Sequence, residues 1–248
     1  HVANKIGWTI ALFPSLVLYS VLIMREVYLV FFLLLAIYGI VGWVKNDNFK
    51  SIIIALIGFF CAIHFHGAIL VGAIVFLLFV GTKSLMKSII LLARFRLNTK
   101  VLLIFLSFVF LLTLYLSNKI SVSYLGTFEN TASIKTLLRR SNSSTKGDAA
   151  FPKWTISNSP IELIYKAPIR SLYVVFAPFP WDVKKTKHLI GMFDAFLYMY
   201  LSILILLNLK NIWKDPSLRI ILIILLTYIF VFGLGVGNFG TGIRHRSK

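Results

Sequence analysis

A single cysteine, Cys61, occurs in 248 residues, and it sits inside an apolar run. No intramolecular disulfide can form, and one thiol is silent on redox compartment. Charge is almost as sparse. Asp, Glu, Lys and Arg make up 14% of the chain, against about a quarter of a typical soluble domain, which places the protein far outside the soluble balance. Carboxylates are the scarcest charged group, eight against 26 Lys and Arg, which leaves a formal charge of +18. The sequence has no basic start, short apolar core and small-residue cleavage site in succession, so no cleavable signal peptide is expected within it. It also lacks a phosphate-binding P-loop, a dinucleotide fingerprint and a serine nucleophile elbow, so soluble nucleotide chemistry is unsupported. No internal repeat is evident.

What is there is apolar: 58% of residues are hydrophobic and the mean hydropathy is +0.87. Apolar runs cover 7–24, 27–44, 51–63, 67–81, 101–117, 188–208 and 220–236. Several approach the roughly 20 residues that cross a bilayer as a helix. The sequence therefore predicts an all-α fold, a polytopic transmembrane bundle. In a soluble protein a charge this basic would suggest nucleic acid. With apolar spans, it points to phosphate-bearing lipids and away from nucleic acid. The chain begins at His1 directly ahead of an apolar run and ends on a charged turn, the form expected of an internal piece of a longer protein.

Lys and Arg in short loops are retained on the cytoplasmic side, whereas long loops cross largely regardless of charge. Lys45 and Lys50, then Lys83, Lys87, Arg94, Arg96 and Lys100, then Lys210, Lys214 and Arg219 are accordingly expected inside. The segment 51–81 must then leave and return to one side, turning at the "HFHG" of 64–67. Arg25, Glu26, His64, His66, the polar stretch 118–187 and the terminal Arg244–Lys248 collect on the opposite, outer face.

Three parts follow: an N-terminal transmembrane bundle over 1–117, a basic extracytoplasmic loop over 118–187, and a C-terminal transmembrane pair over 188–248. Within the loop, 118–158 is rich in Ser, Thr, Asn and Lys and is expected to be flexible until something binds it. Residues 159–176 read as an interfacial helix capped by Ser159, with Pro160 at its first position and a kink at Pro168. "APFPW" at 177–181 reads as a stiff aromatic turn at the membrane boundary, where Trp is enriched. Residues 84–97 read as a basic amphipathic helix on anionic lipid.

Groups with chemical capacity are few. Arg25 and Glu26 form an ion pair between two spans, either as a solvated turn or as a phosphate ligand beside a carboxylate base. His64 and His66 lie two apart and no Cys or carboxylate completes a metal set with them, so they read as a turn or as hydrogen-bond donors to an anionic or sugar ligand. Asp194 lies in the first turns of a span; an intramembrane carboxylate is costly to bury alone, so it is either a base or half of a structural salt bridge. Arg139, Arg140, Lys146, Lys153, Lys166 and Arg170 spread cations through the loop, as a headgroup-facing surface or a diphosphate clamp. The terminal "GNFGTGIRHRSK" sets three closely spaced glycines before Arg244, His245 and Arg246. It is a basic tail or the rim of an anion site, with glycines permitting close backbone approach.

Four pieces in order, "LFPSLVLYSVLIMREVYLVFFLLLAIYG", "AIHFHGAIL", "APFPW" and "VGNFGTGIRHR", together resemble bacterial multi-pass envelope-glycan proteins, the GT-C-type lipid-linked glycosyltransferases and O-antigen polymerases. The resemblance covers most of the chain. It implies residence in the bacterial cytoplasmic membrane, a sugar carried on a polyprenyl phosphate or diphosphate, a glycan acceptor, and chemistry at the outer face. It implies no certain cofactor and leaves a divalent cation open. Such a transfer needs a carboxylate to take the acceptor's proton and cations to stabilise the departing phosphate. Glu26 and Asp194 are the candidates for the first task. Arg25, His64, His66, Arg139, Arg140, Arg244, His245 and Arg246 are the candidates for the second. The chain departs from the group at "HFHG", where many relatives carry a basic residue followed by proline. A glycan polymerase and a lipid-linked glycan transporter are the competing readings. A transporter is expected to show repeated halves and a polar midplane path.

Overall fold

The computed structural model describes residues 25–92 and 147–246, with 7, 8, 106, 109, 113, 117, 138, 139 and 142; the side chains of residues 25, 84–92 and 187 are excepted. Most of the expected span at 7–24, most of 101–117, and most of the segment 118–146 lie outside the described residues. Among the described residues the fold is helical, with no strand beyond a lone bridge between Ala150 and Asn238.

Helices α1 (Arg25–Asn46) and α2 (Phe49–Phe65) form a hairpin. Its two-residue turn uses Asp47 at φ 52°, a left-handed conformation that Asp tolerates better than most residues. Asn48 then caps α2 by accepting from the Lys50 N–H at 3.0 Å. The two helices touch backbone to backbone. An Ala-x-x-Gly pair on α1, Ala36 and Gly39, faces the same pair on α2, Ala55 and Gly58, in reversed order. A Cβ on Gly58 would stand 2.6 Å from the Ala36 nitrogen, and one on Gly39 would stand 2.7 Å from the Ser51 carbonyl oxygen. Small residues allow this approach, which is how helices associate where no hydrophobic effect separates them from lipid.

Helix α3 (Ile69–Leu92) follows after a break at His66–Ala68, so the chain does reverse at "HFHG". Helix α4 (Pro160–Phe176) begins as its sequence indicates, with Ser159 Oγ accepting from the Glu162 N–H at 3.2 Å and Pro160 at the first turn. After α5 (Lys187–Leu207) and the short α6 (Leu209–Lys214), Asp215 caps α7 (Pro216–Gly235). Its carboxylate takes the N–H groups of Ser217 and Leu218 at 2.7 and 3.3 Å. The Leu218 and Ser217 amides hold that carboxyl below its usual range. The last helix, α8, spans Phe239–Arg246.

Three of these helices, α1, α5 and α7, are long and apolar enough to cross a membrane, and α2 and the first part of α3 are shorter apolar helices. The main core joins α1, α2, α3 and α7 through Leu29, Ile40, Trp43, Ile52, Phe76 and Ile220. Tyr228 of α7 donates to the Ile69 carbonyl at 3.2 Å, and its ring lies where a side chain on Gly72 would be. A second, smaller core of Phe151, Val174, Ala177, Val236 and Phe239 joins α4 and α8 to the segment before α4.

The order of elements gathers unlike groups at opposite ends. One end carries the α1–α2 turn, where Lys83 pairs with Asp47 at 3.2 Å and lies 4.7 Å from the Trp43 ring, and the cations of α6. The other carries Glu26, the His66 turn, the C-terminus of α4, the start of α5 and all of α8.

Replacing Gly39 or Gly58 by Ala must push α1 and α2 apart, because the obstructing atoms are backbone. Overpacking of this kind costs about 1–3 kcal/mol. Each variant is expected to melt earlier in detergent, whereas Gly235→Ala, with nothing within 4 Å of its new Cβ, leaves packing unchanged. Equal melting of Gly39→Ala, Gly58→Ala and the parent would rule out this interface.

Candidate functional site

The polar end is built by a break in the last apolar helix. Gly233 and Gly235 weaken the end of α7, and Val236 is extended, its N–H closing onto the Phe232 carbonyl at 2.8 Å. Asn238 then caps α8, its Oδ1 accepting from the Thr241 N–H at 2.7 Å. Two backbone bonds clamp the intervening strand-like segment to the preceding loop: Phe151 N–H to Gly237 O and Phe239 N–H to Ala149 O, both 2.9 Å. Arg244, His245 and Arg246 therefore lie on a helix folded back against its neighbours.

Arg170 holds the break. Its guanidinium is fully buried and donates to three backbone carbonyls: Gly233 at 2.8 Å, Val236 at 2.7 Å and Thr155 at 2.9 Å. Two of these are the carbonyls that the end of α7 leaves open, where a cation is also favoured by the helix dipole. Burial pushes the guanidinium down to about 10, so it stays charged at neutral pH. The sequence placed Arg170 among the exposed loop cations, and the structure corrects this. The missed signal was register, since Leu163, Ala167, Arg170 and Val174 form the buried stripe of α4.

Helix α8 sends three consecutive side chains to three places. Arg244 reaches Glu26 at the start of α1, with Nε at 2.7 Å and Nη2 at 2.5 Å from the same oxygen. Glu26 is buried at 2% exposure while the Arg244 side chain is 36% exposed. Among the described residues Glu26 thus takes a cation from 218 positions away. The Arg25 side chain lies outside the described residues. His245 stacks on Phe232 at 4.6 Å and 14°, with His66 edge-on at 5.1 Å. Arg246 turns inward, its Nη1 donating to the Val175 carbonyl at 2.7 Å and its Nε 3.4 Å from Asp194 Oδ2. The Tyr198 ring lies 5.6 Å from that guanidinium, and its hydroxyl donates to the Arg246 carbonyl at 2.6 Å.

Six of the sequence-derived candidates thus meet at one end: Glu26, His66, Asp194, Arg244, His245 and Arg246. His64 does not join them. It is exposed, with Nδ1 3.0 Å from the Phe60 carbonyl, because a helical last turn sends residues 64 and 66 in different directions. Arg139 is exposed, and Arg140 lies outside the described residues. Gly242 faces α4. A Cβ there would lie 3.4 Å from Val174 O, an ordinary van der Waals contact. Among the described residues no three His, Cys, Asp or Glu side chains come together as a metal would require.

Beneath the cluster runs an apolar cavity of about 350 Å³. Leu33 and Ile37 of α1, Leu201 of α5 and Ile224, Tyr228 and Phe232 of α7 line it, and His245 and Arg246 lie at its polar end. Its wall on α1 extends from Val30 to Ile40, about 15 Å of helix at 1.5 Å per residue. The arrangement is a greasy slot with two arginines, two imidazoles and two carboxylates at one end. It suits an amphiphile with a long apolar chain and an anionic head. No family model, no curated protein and no solved structure matches the chain.

Removing the cation beside buried Asp194 is expected to cost about 3–5 kcal/mol, the usual penalty for breaking a buried ion pair from one side. Arg246→Met should therefore unfold well below the parent, and Arg246→Met with Asp194→Leu should recover part of the loss. A double variant as unstable as the sum of the single ones would show that the two side chains do not interact.

Proposed function

We propose that the chain acts as an integral membrane glycosyltransferase of bacterial envelope polysaccharide synthesis, resident in the cytoplasmic membrane with several spans. Its donor is a sugar on a polyprenyl phosphate or diphosphate, and its polar end faces outward. The observation that carries this reading is the apolar cavity ending at His245 and Arg246, with Arg244 and Glu26 alongside. The distribution of short-loop cations supports the sidedness, since Lys45, Lys50, Lys83, Lys210, Lys214 and Arg219 belong to the end away from that cluster.

In this reading the isoprenoid chain lies along the cavity wall and the phosphate meets α8. The acceptor hydroxyl attacks the anomeric carbon, the bond from that carbon to the phosphate oxygen breaks, and its electrons stay on the phosphate. Arg244 and Arg246 stabilise the charge that develops there. The acceptor's proton passes to a carboxylate, Glu26 or Asp194. Polar groups gather at one end of the helices while cavity walls stay apolar, which favours an enzyme over a transporter with a polar midplane path.

Arginine grips phosphate through a planar fork that lysine lacks. In nanodiscs, the parent is expected to bind a polyprenyl phosphate, and Arg244→Lys or Arg246→Lys to bind it about ten- to a hundredfold more weakly, as loss of one charge-assisted contact implies. Lys248→Ala should bind as the parent does. Parent-like binding by both arginine variants would leave α8 a structural element with no part in phosphate binding.

A further inference from the structure

Four aromatic rings run across the outer surface of α4 and its flanking turns. Trp154 meets Tyr173 edge-on at 6.0 Å, Tyr173 meets Phe179 edge-on at 5.3 Å, and Phe179 lies under Trp181 at 4.9 Å and 9°. The run ends in two exposed indoles, Trp154 at 53% and Trp181 at 73%. Neither tip hangs on a loose loop. Asp182 Oδ2 accepts from the Phe179 N–H at 3.2 Å and closes the Pro180–Asp182 turn. The Lys153–Thr155 turn is held by Thr155, whose carbonyl takes one arm of Arg170. Tyr173 and Phe179 pack on the small core that also carries Val236 and Phe239 at the root of α8.

We propose that this run is a binding platform for a glycan chain, the saccharide end of the proposed acceptor or donor. A pyranose presents an apolar face of C–H bonds and a rim of hydroxyls. It is held by a flat ring under that face and by charged or polar groups beside it. The exposed face of Trp181 opposite Phe179 offers the ring. Lys153 precedes Trp154 in the chain, and Lys184 and Lys185, the latter in a solvated ion pair with Asp148, follow Trp181; such charged groups do not belong in hydrocarbon. The neighbouring exposed stripe of α4 differs in kind: Ile161, Ile164, Ile169 and Leu172 carry no charge and suit lipid. Two indoles separated by two further rings match an oligosaccharide rather than one sugar. The shared core places saccharide and phosphate contacts on one rigid footing. The saccharide assignment rests on the glycosyl-transfer reading, whereas the position of the indoles does not.

Two measurements on the full chain in nanodiscs test it. With Trp181 kept and the other tryptophans replaced by Phe, iodide should quench the indole fluorescence and brominated phospholipid should not. On an array of bacterial envelope polysaccharide fragments, the parent should bind at least one glycan. Trp181→Ala and Trp154→Ala should each weaken that binding about tenfold, and Trp181→Tyr should retain most of it, since a flat ring remains. Polyprenyl phosphate binding should be unchanged in Trp181→Ala, which separates this proposal from the preceding one. Quenching by brominated lipid, absence of glycan binding, or unchanged binding in both alanine variants would overturn the platform and leave a membrane-boundary belt.

Discussion

The structure turns on one buried guanidinium. Arg170 has no exposed surface and holds three backbone carbonyls from two distant parts of the chain. A charge taken out of water is expensive unless its donors are all engaged. Here the donors do something no shorter side chain can do: they close the open end of α7, fix the loop bearing Thr155, and set the angle at which the chain leaves for α8. Without this staple, the carbonyls of Gly233 and Val236 would need water, and the break between α7 and α8 would lose its fixed direction.

Everything at the polar end inherits that direction. Three consecutive residues of α8 meet α1, the α2–α3 turn with α7, and α5 with α4. Ion pairs buried in this way add little to stability relative to a packed apolar core. What they do favour is one orientation of α8, in which each arginine meets its carboxylate. The same arrangement sets His245 and Arg246 at the end of the apolar cavity. Under the proposed function, a slot for a hydrocarbon chain and a site for an anion would form one continuous surface there.

Local signals in the sequence carried far. Ser159 before Pro160 marked the start of α4, and the parity of short basic loops required a reversal at "HFHG", where α2 gives way to α3. Composition and run length indicated helices of membrane-crossing length, and α1, α5 and α7 have it. Pairings across the chain were illegible. Nothing near Glu26 announces a partner 218 residues later, and the adjacent Arg25 offered a nearer one. Arg170 looked like one loop cation among several because its burial depends on α7, which supplies the carbonyls. The terminal glycines suggested close approach of backbone to a ligand, and that Gly242 faces Val174 of α4 depends on how α8 folds back. Sequence spacing reports which groups are available, and tertiary packing decides which of them meet.

The claim on which the account depends is that the cavity beneath α8 receives the hydrocarbon chain of an anionic lipid. A polyprenyl phosphate with a diazirine on its phosphate-proximal isoprene units, photolysed in nanodiscs and mapped by peptide mass spectrometry, tests it directly. The account predicts labelling of the cavity wall at Leu33 and Ile37 of α1, Leu201 of α5 and Tyr228 of α7, competed by unlabelled polyprenyl phosphate. Labelling confined to the outward faces, at Phe31, Tyr38, Phe193 and Leu207, would contradict it.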